Sequence, residues 1–195
     1  MCIRDRETAE RLGWKYYDKE LVKKIAEESG LAESYILESG EYACSTSSFL
    51  FNWVMNAEGA RSGSLPISDQ LYIIQHNIIK DLAEHERCVI VGRCADYILR
   101  EEPYCLKTFV YAPLEQRVRR AREAYNVEQP NLESYVLRQD KARASYYNYF
   151  ATGRWGDSRE YDLCINSAVL GWDKCVSLVK SYLCLLYTSD AADEE

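Results

Sequence analysis

Apolar positions along the chain follow two rhythms, a recurrence about every 3.6 residues and short unbroken runs, and the two alternate throughout. Thr8 to Leu12 reads as the end of a helix stopped by Gly13, and Trp14 to Tyr17 as a short aromatic strand. Asp18 is placed to cap a helix over Lys19 to Ser29, with Leu21, Val22 and Ile25 on one face and Gly30 ending it. Ser68 is placed to cap a helix whose Leu71, Ile74, Ile78, Ile79 and Leu82 form one stripe. Cys88-Val-Ile-Val91, closed by Gly92, is a continuous apolar run of the kind found in strands covered on both faces. Leu106 to Tyr111 repeats it, and Pro113 then suits the first turn of a helix. Leu132 to Phe150 predicts a long helix broken by Gly153 and Gly156, Leu163 to Ile165 a last strand, and Trp172 to Leu183 a closing helix.

Residues 31 to 66 are mixed: Leu31 to Glu38 and Ser48 to Met55 have helical patterning, while Gly59, Gly63 and Pro66 punctuate what reads as an insertion or lid. Strands alternating with helices predict an α/β fold with a mostly parallel sheet flanked by helices.

At 195 residues and 47% hydrophobic, the chain can bury one substantial core. A net charge of -7 argues against a nucleic acid polymer or an anionic membrane as partner, since both are held by excess Lys and Arg. A small phosphate ligand needs only a local cationic cluster, and Arg117, Arg119, Arg120 and Arg122 supply one. Eight cysteines without a Cys-x-x-Cys pair, beside only His76 and His85, lack zinc-site spacing and read as reduced thiols. The start is too polar for a secretion signal and no long apolar run spans a bilayer, so a cytoplasmic protein is expected. Nothing in the sequence fixes an oligomeric state.

Gly92 and Arg93 follow directly on a strand, where open α/β sheets bind ligands: glycine admits a phosphate to the backbone and arginine offers it a bidentate fork. A surface ion pair fits the same arginine equally well. Arg117 and Arg120 lie three apart on one helix, near enough to act on one anion, although a solvated helix face has the same pattern. Asp140 and Arg143 share a helix face, as a ligand-binding pair or as an ordinary ion pair. Tyr146, Tyr147, Tyr149 and Phe150, followed by Thr152 to Gly156, form an aromatic cluster that suits base stacking, core packing or a dimer contact. The serines at 45 and 47 to 48 lack a Gly-x-Ser-x-Gly elbow, which disfavours a hydrolase triad.

Four ordered segments, Trp14 to Leu21, Cys88 to Leu99, Asp140 to Tyr147 and Tyr161 to Ser167, together resemble the cytidylate-kinase-like family of P-loop nucleoside monophosphate kinases over about residues 6 to 184. The resemblance implies a P-loop kinase-type parallel sheet and transfer of the ATP terminal phosphoryl, with Mg2+, to CMP or dCMP. By that resemblance Gly92, Arg93 and Arg143 would hold the acceptor phosphate, and Asp140 would meet the cytosine or its sugar. Arg117 and Arg120 would belong to a closing lid at about 113 to 138. The family also carries an arginine four residues before the Asp140 position, where this chain has Val136.

Family members open with a strand and a glycine-rich loop followed by Arg-Glu, and this sequence joins that pattern at Arg6-Glu7. The expectation is therefore a kinase domain without its first strand and phosphate-binding loop, poorly stable and inactive by itself, with Arg6 near the P-loop lysine position. Residues 1 to 5 and 185 to 195 resemble translated sequencing-adapter sequence and are set outside the domain. The alternatives are a non-catalytic nucleotide-binding or regulatory module on the same fold, or an anion-binding protein unrelated to nucleotides.

Overall fold

The computed structural model describes residues 2–39 and 67–189. Its elements in chain order are α1 (Cys2–Leu12), β1 (Lys15–Tyr17), α2 (Lys19–Ser29), α3 (Glu33–Ser39), α4 (Ile67–His85), β2 (Cys88–Ile90), α5 (Ala95–Ile98) and β3 (Thr108–Tyr111). There follow α6 (Leu114–Glu123), α7 (Leu132–Phe150), a 3-10 turn (Ser158–Glu160), β4 (Leu163–Asn166), α8 (Ser167–Leu170) and α9 (Trp172–Ser189). No helix among the described residues is long and apolar enough to cross a membrane.

The α/β alternation read from the sequence is present, but among the described residues the strands form two sheets instead of one. β1 pairs in parallel with β2, setting Tyr16 beside Val89, and β3 pairs in parallel with β4, setting Val110 beside Ile165. Each pair is joined through helices, as a parallel connection requires. Strand patterning reports local burial and says nothing of which strand neighbours which, so the division was invisible in it.

The main core lies where α2 and α4 cover the β1–β2 pair. Leu21, Val22 and Ile25 of α2, one helical turn apart, meet Leu71, Ile78, Ile79 and Leu82 of α4, and Ile98 and Leu99 close the cluster. Leu21 and Ile79 are fully buried, each worth about 1.5–3 kcal/mol of apolar transfer. A second cluster sets Cys94 against Tyr147 and Ala151, with Tyr72, Tyr146, Phe150 and Trp155 around it. The aromatic run thus packs largely inward: Tyr72 and Phe150 stack at 4.0 Å, while Tyr149 is exposed.

Polar ties complete the frame. Arg11 of α1 bridges Glu7 and Asp173 of α9 at 2.5 Å each, and the Trp172 indole donates to Glu7. Glu86 accepts from Lys15 at 2.6 Å and from the Tyr17 hydroxyl at 2.5 Å; burial and this carboxylate both push the Tyr17 hydroxyl well up.

Helix boundaries follow the sequence reading closely at α2 and α7, and Gly30 closes α2 in the left-handed region at φ 69°. Two caps differ. Asp18 makes no side-chain cap bond; its φ of -136° and ψ of -82° depart from cap geometry, and the Tyr16 hydroxyl lies 3.5 Å from its carboxylate. Ser68 sits inside the first turn of α4, which begins at Ile67, and its hydroxyl lies 3.3 Å from Asp69. The helix expected over Leu31 to Glu38 is α3, Glu33–Ser39, whereas Ser48 to Met55, Gly59, Gly63 and Pro66 fall outside the described residues.

Packing at α4 sets the first prediction. Ile79→Ala should destabilise the protein by about 2–5 kcal/mol, read from urea unfolding midpoints. Ile73→Ala on the same helix, at a side chain 48% exposed, should change stability by less than about 0.5 kcal/mol. Equal losses at the two positions would refute this placement of the core.

Candidate functional site

At the carboxyl end of β2 the chain makes an unusual turn. Gly92, Arg93 and Cys94 take φ values of 67°, 58° and 56°, three successive residues in the left-handed region. Glycine does this freely, but each L-residue incurs about 1–2 kcal/mol of steric strain. The turn is fixed from several sides: Val91 N–H donates to Tyr17 O at 3.0 Å, Ala95 N–H to Gly92 O at 3.0 Å, and Ile98 N–H to Cys94 O at 2.9 Å. From α4, the Gln75 amide donates to Arg93 O at 2.7 Å. Arg93 itself is only 3% exposed and lines a small cavity with Ser68, Leu71, Gln75 and Tyr146.

Helix α7 brings in the second group. Asp140 receives Arg117 of α6 on Oδ2, and Arg143 lies 3.6 Å from its Oδ1. All three side chains are largely shielded from solvent. Arg143 precedes Tyr146 by three residues, so the arginine of the pair and the tyrosine that approaches the Arg93 turn are neighbours on α7. Arg117 and Arg120 do not converge: Arg117 meets α7, while Arg120 feels Tyr125 and the Cys175 thiol of α9, with burial lowering its pKa. Arg6, on α1, lies 5.4 Å from the Tyr16 ring and 3.9 Å from Glu20.

Asp96, three residues beyond Arg93, was not singled out by sequence reasoning. Its carboxylate is pushed above its ordinary range first by burial, while hydrogen bonds from the Tyr147 and Tyr161 hydroxyls act against the shift. Oδ2 of Asp96 is buried without a hydrogen-bond partner. Burial pushes both tyrosine hydroxyls up, and the Asp96 charge adds to it. Tyr161 also packs on Phe109, which meets Trp155 edge-on at 5.5 Å.

Parallel strand pairs under helices, with an arginine turn at the carboxyl end of a strand, define a ligand-binding class of α/β fold consistent with a kinase-like one. The model of the cytidylate kinase-like family matches residues 6–169, and the chain belongs to that family. A crystal structure of an uncharacterized protein from Eubacterium ventriosum ATCC 27560 is similar, at TM-score 0.65 and 24% identity, covering 93% of this chain and 89% of that one. At that identity the likeness speaks for the fold alone. No curated protein matches the chain.

The Asp96 junction has a pH signature. A carboxyl whose pKa is raised on folding contributes most stability below its unfolded value, about 3.8, and loses it as pH rises through the folded value. Asp96→Asn keeps a neutral acceptor there and cannot titrate. The stability of wild type relative to Asp96→Asn should therefore be highest below about pH 4 and fall, in the variant's favour, as pH rises above it in paired urea titrations. A constant difference would show that Asp96 titrates normally.

Proposed function

We propose that the protein is a nucleoside monophosphate kinase that transfers the ATP terminal phosphoryl, with Mg2+, to CMP or dCMP. The observation that carries the reading is the left-handed turn at Gly92-Arg93-Cys94, which sets a buried guanidinium at the carboxyl end of a strand. Gly92 leaves the backbone open to a phosphate, and Arg93 and Arg143 act as its cationic clamps. Asp140 accepts from the cytosine amino group or a sugar hydroxyl once Arg117 exchanges it for phosphate oxygens. Arg117 and Arg120 belong to a lid at about 113 to 138, where movable guanidiniums stabilise charge developing on the transferred group.

Gly92, Arg93, Asp140 and Arg143 suit the acceptor half of this reaction. Among the described residues no group of three or more His, Cys, Asp and Glu is arranged around a metal ion. The ATP–Mg2+ half would fall to a further strand and glycine-rich loop set in space between the β1–β2 and β3–β4 pairs. The division of the strands into two parallel pairs supports that assignment, because one further parallel strand would join them into a single five-stranded sheet with covered edges. Backbone N–H groups of such a loop, at a helix N-terminus, cradle phosphates; Arg6 on α1 would assist there.

A second reading, a nucleotide-binding module without catalysis, is favoured by Val136 at the expected arginine position and by the engagement of Asp140 with Arg117. One experiment separates them: a coupled phosphoryl-transfer assay with ATP, Mg2+ and each of CMP, dCMP, UMP and AMP. It compares this chain with a protein extended upstream by a family-like strand and loop. The kinase reading expects turnover of CMP and dCMP in the extended protein only, with Arg93→Ala lowering kcat/KM by about a hundredfold or more. A folded extended protein that turns over no acceptor would leave the binding module.

A further inference from the structure

We propose that Gln75 is a positioning residue that fixes Arg93 and Arg143 at the spacing needed to hold one phosphate between them. The inference rests on the acceptor reading of those two arginines. Gln75 sits in the apolar stripe of α4 between Leu71 and Ile78, where core packing alone would favour an aliphatic side chain, and it is 2% exposed. Burying an amide is unfavourable unless both of its ends are bonded.

Both are bonded, and both bonds lead to the site. Nε2 donates to Arg93 O at 2.7 Å, and the Tyr146 hydroxyl donates to Oε1 at 3.2 Å. The orientation follows from chemistry: a backbone carbonyl only accepts, so the amide nitrogen must face Arg93. Tyr146 lies three residues after Arg143 on α7, so one carboxamide couples the strand turn bearing Arg93 to the helix bearing Arg143.

The coupling matters because the turn is strained. Arg93 and Cys94 are both non-glycine residues at positive φ, and such a conformation persists only where its surroundings over-determine it. The Gln75 bond grips the carbonyl between those two residues. Without it, relaxation of the turn would move the Arg93 guanidinium and open the packing over Cys94, which is 3% exposed.

The test uses this chain and two independent readouts. Gln75→Met keeps the side-chain length and removes both polar ends, and Tyr146→Phe removes only the anchoring hydroxyl. The first readout is the alkylation rate of Cys94, resolved by mass spectrometry, with buried Cys175 on α9 as an internal control. Gln75→Met should raise the Cys94 rate by about tenfold with Cys175 unchanged, and Tyr146→Phe should raise it less. The second is CMP affinity by calorimetry, where Gln75→Met should weaken Kd by about tenfold. Unchanged Cys94 protection, or a parallel rise at Cys175, would overturn the clamp. A wild-type chain that binds neither CMP, dCMP, UMP nor AMP would overturn the acceptor reading and the clamp's purpose with it, whatever the Cys94 result.

Discussion

The Asp96 carboxylate holds the two halves of this protein in register. It stands at the start of α5, directly beyond β2, where the hydroxyls of Tyr147 of α7 and of Tyr161, two residues before β4, act on its charge. Among the described residues no backbone ladder joins β2 to β3, so side-chain contacts of this kind must supply alignment that strand pairing supplies elsewhere. A carboxylate buried with an unpartnered oxygen is a poor source of stability, since desolvation offsets much of what its hydrogen bonds return. What it provides is direction. Two phenol hydroxyls act on one carboxylate, and the Arg93 turn is only three residues away.

Strain and support are therefore adjacent. The turn at Gly92 to Cys94 carries two L-residues in the left-handed region, and around it are a half-buried aspartate, a buried glutamine and four tyrosines. A local conformation at odds with intrinsic preference, surrounded by buried polar groups, is the pattern that marks functional sites and not core packing. Tyr72 belongs to the same cluster, and burial pushes its hydroxyl up to about 12. Burial pushes the Tyr147 and Tyr161 hydroxyls up as well, which favours the neutral form of all three.

Much of the fold was legible because it depends on local period. α7 spans Leu132–Phe150 as the pattern indicates, and β2 and β4 sit where continuous apolar runs lie. The short helices Ala95–Ile98 and Ser167–Leu170 were not, being too brief to show a helical repeat, and both depend on the strand ends that precede them. Of the candidate site, Arg93, Asp140 and Arg143 could be picked out because residue type and position relative to a strand or helix carry the information. Arg117 and Arg120 show where such reasoning stops: three residues is near enough for neighbours, yet about 60° of rotation around the helix sends one to α7 and the other toward α9. Gln75 left one signal, a polar residue inside an apolar stripe, and only tertiary structure shows what its amide reaches.

The Arg117–Asp140–Arg143 group bears on how α6 moves. Asp140 engages both guanidiniums, one in a close bond and the other at 3.6 Å, so α6 is docked on α7 through a charge that both arginines share. A phosphate dianion carries about twice the charge of the carboxylate and more acceptor oxygens, so in a shielded site it competes effectively for the more loosely held arginine. Under the proposed function Arg143 would turn to the acceptor first, leaving Asp140 to Arg117 until the lid carries that arginine away. Binding and closure are then ordered by the same carboxylate.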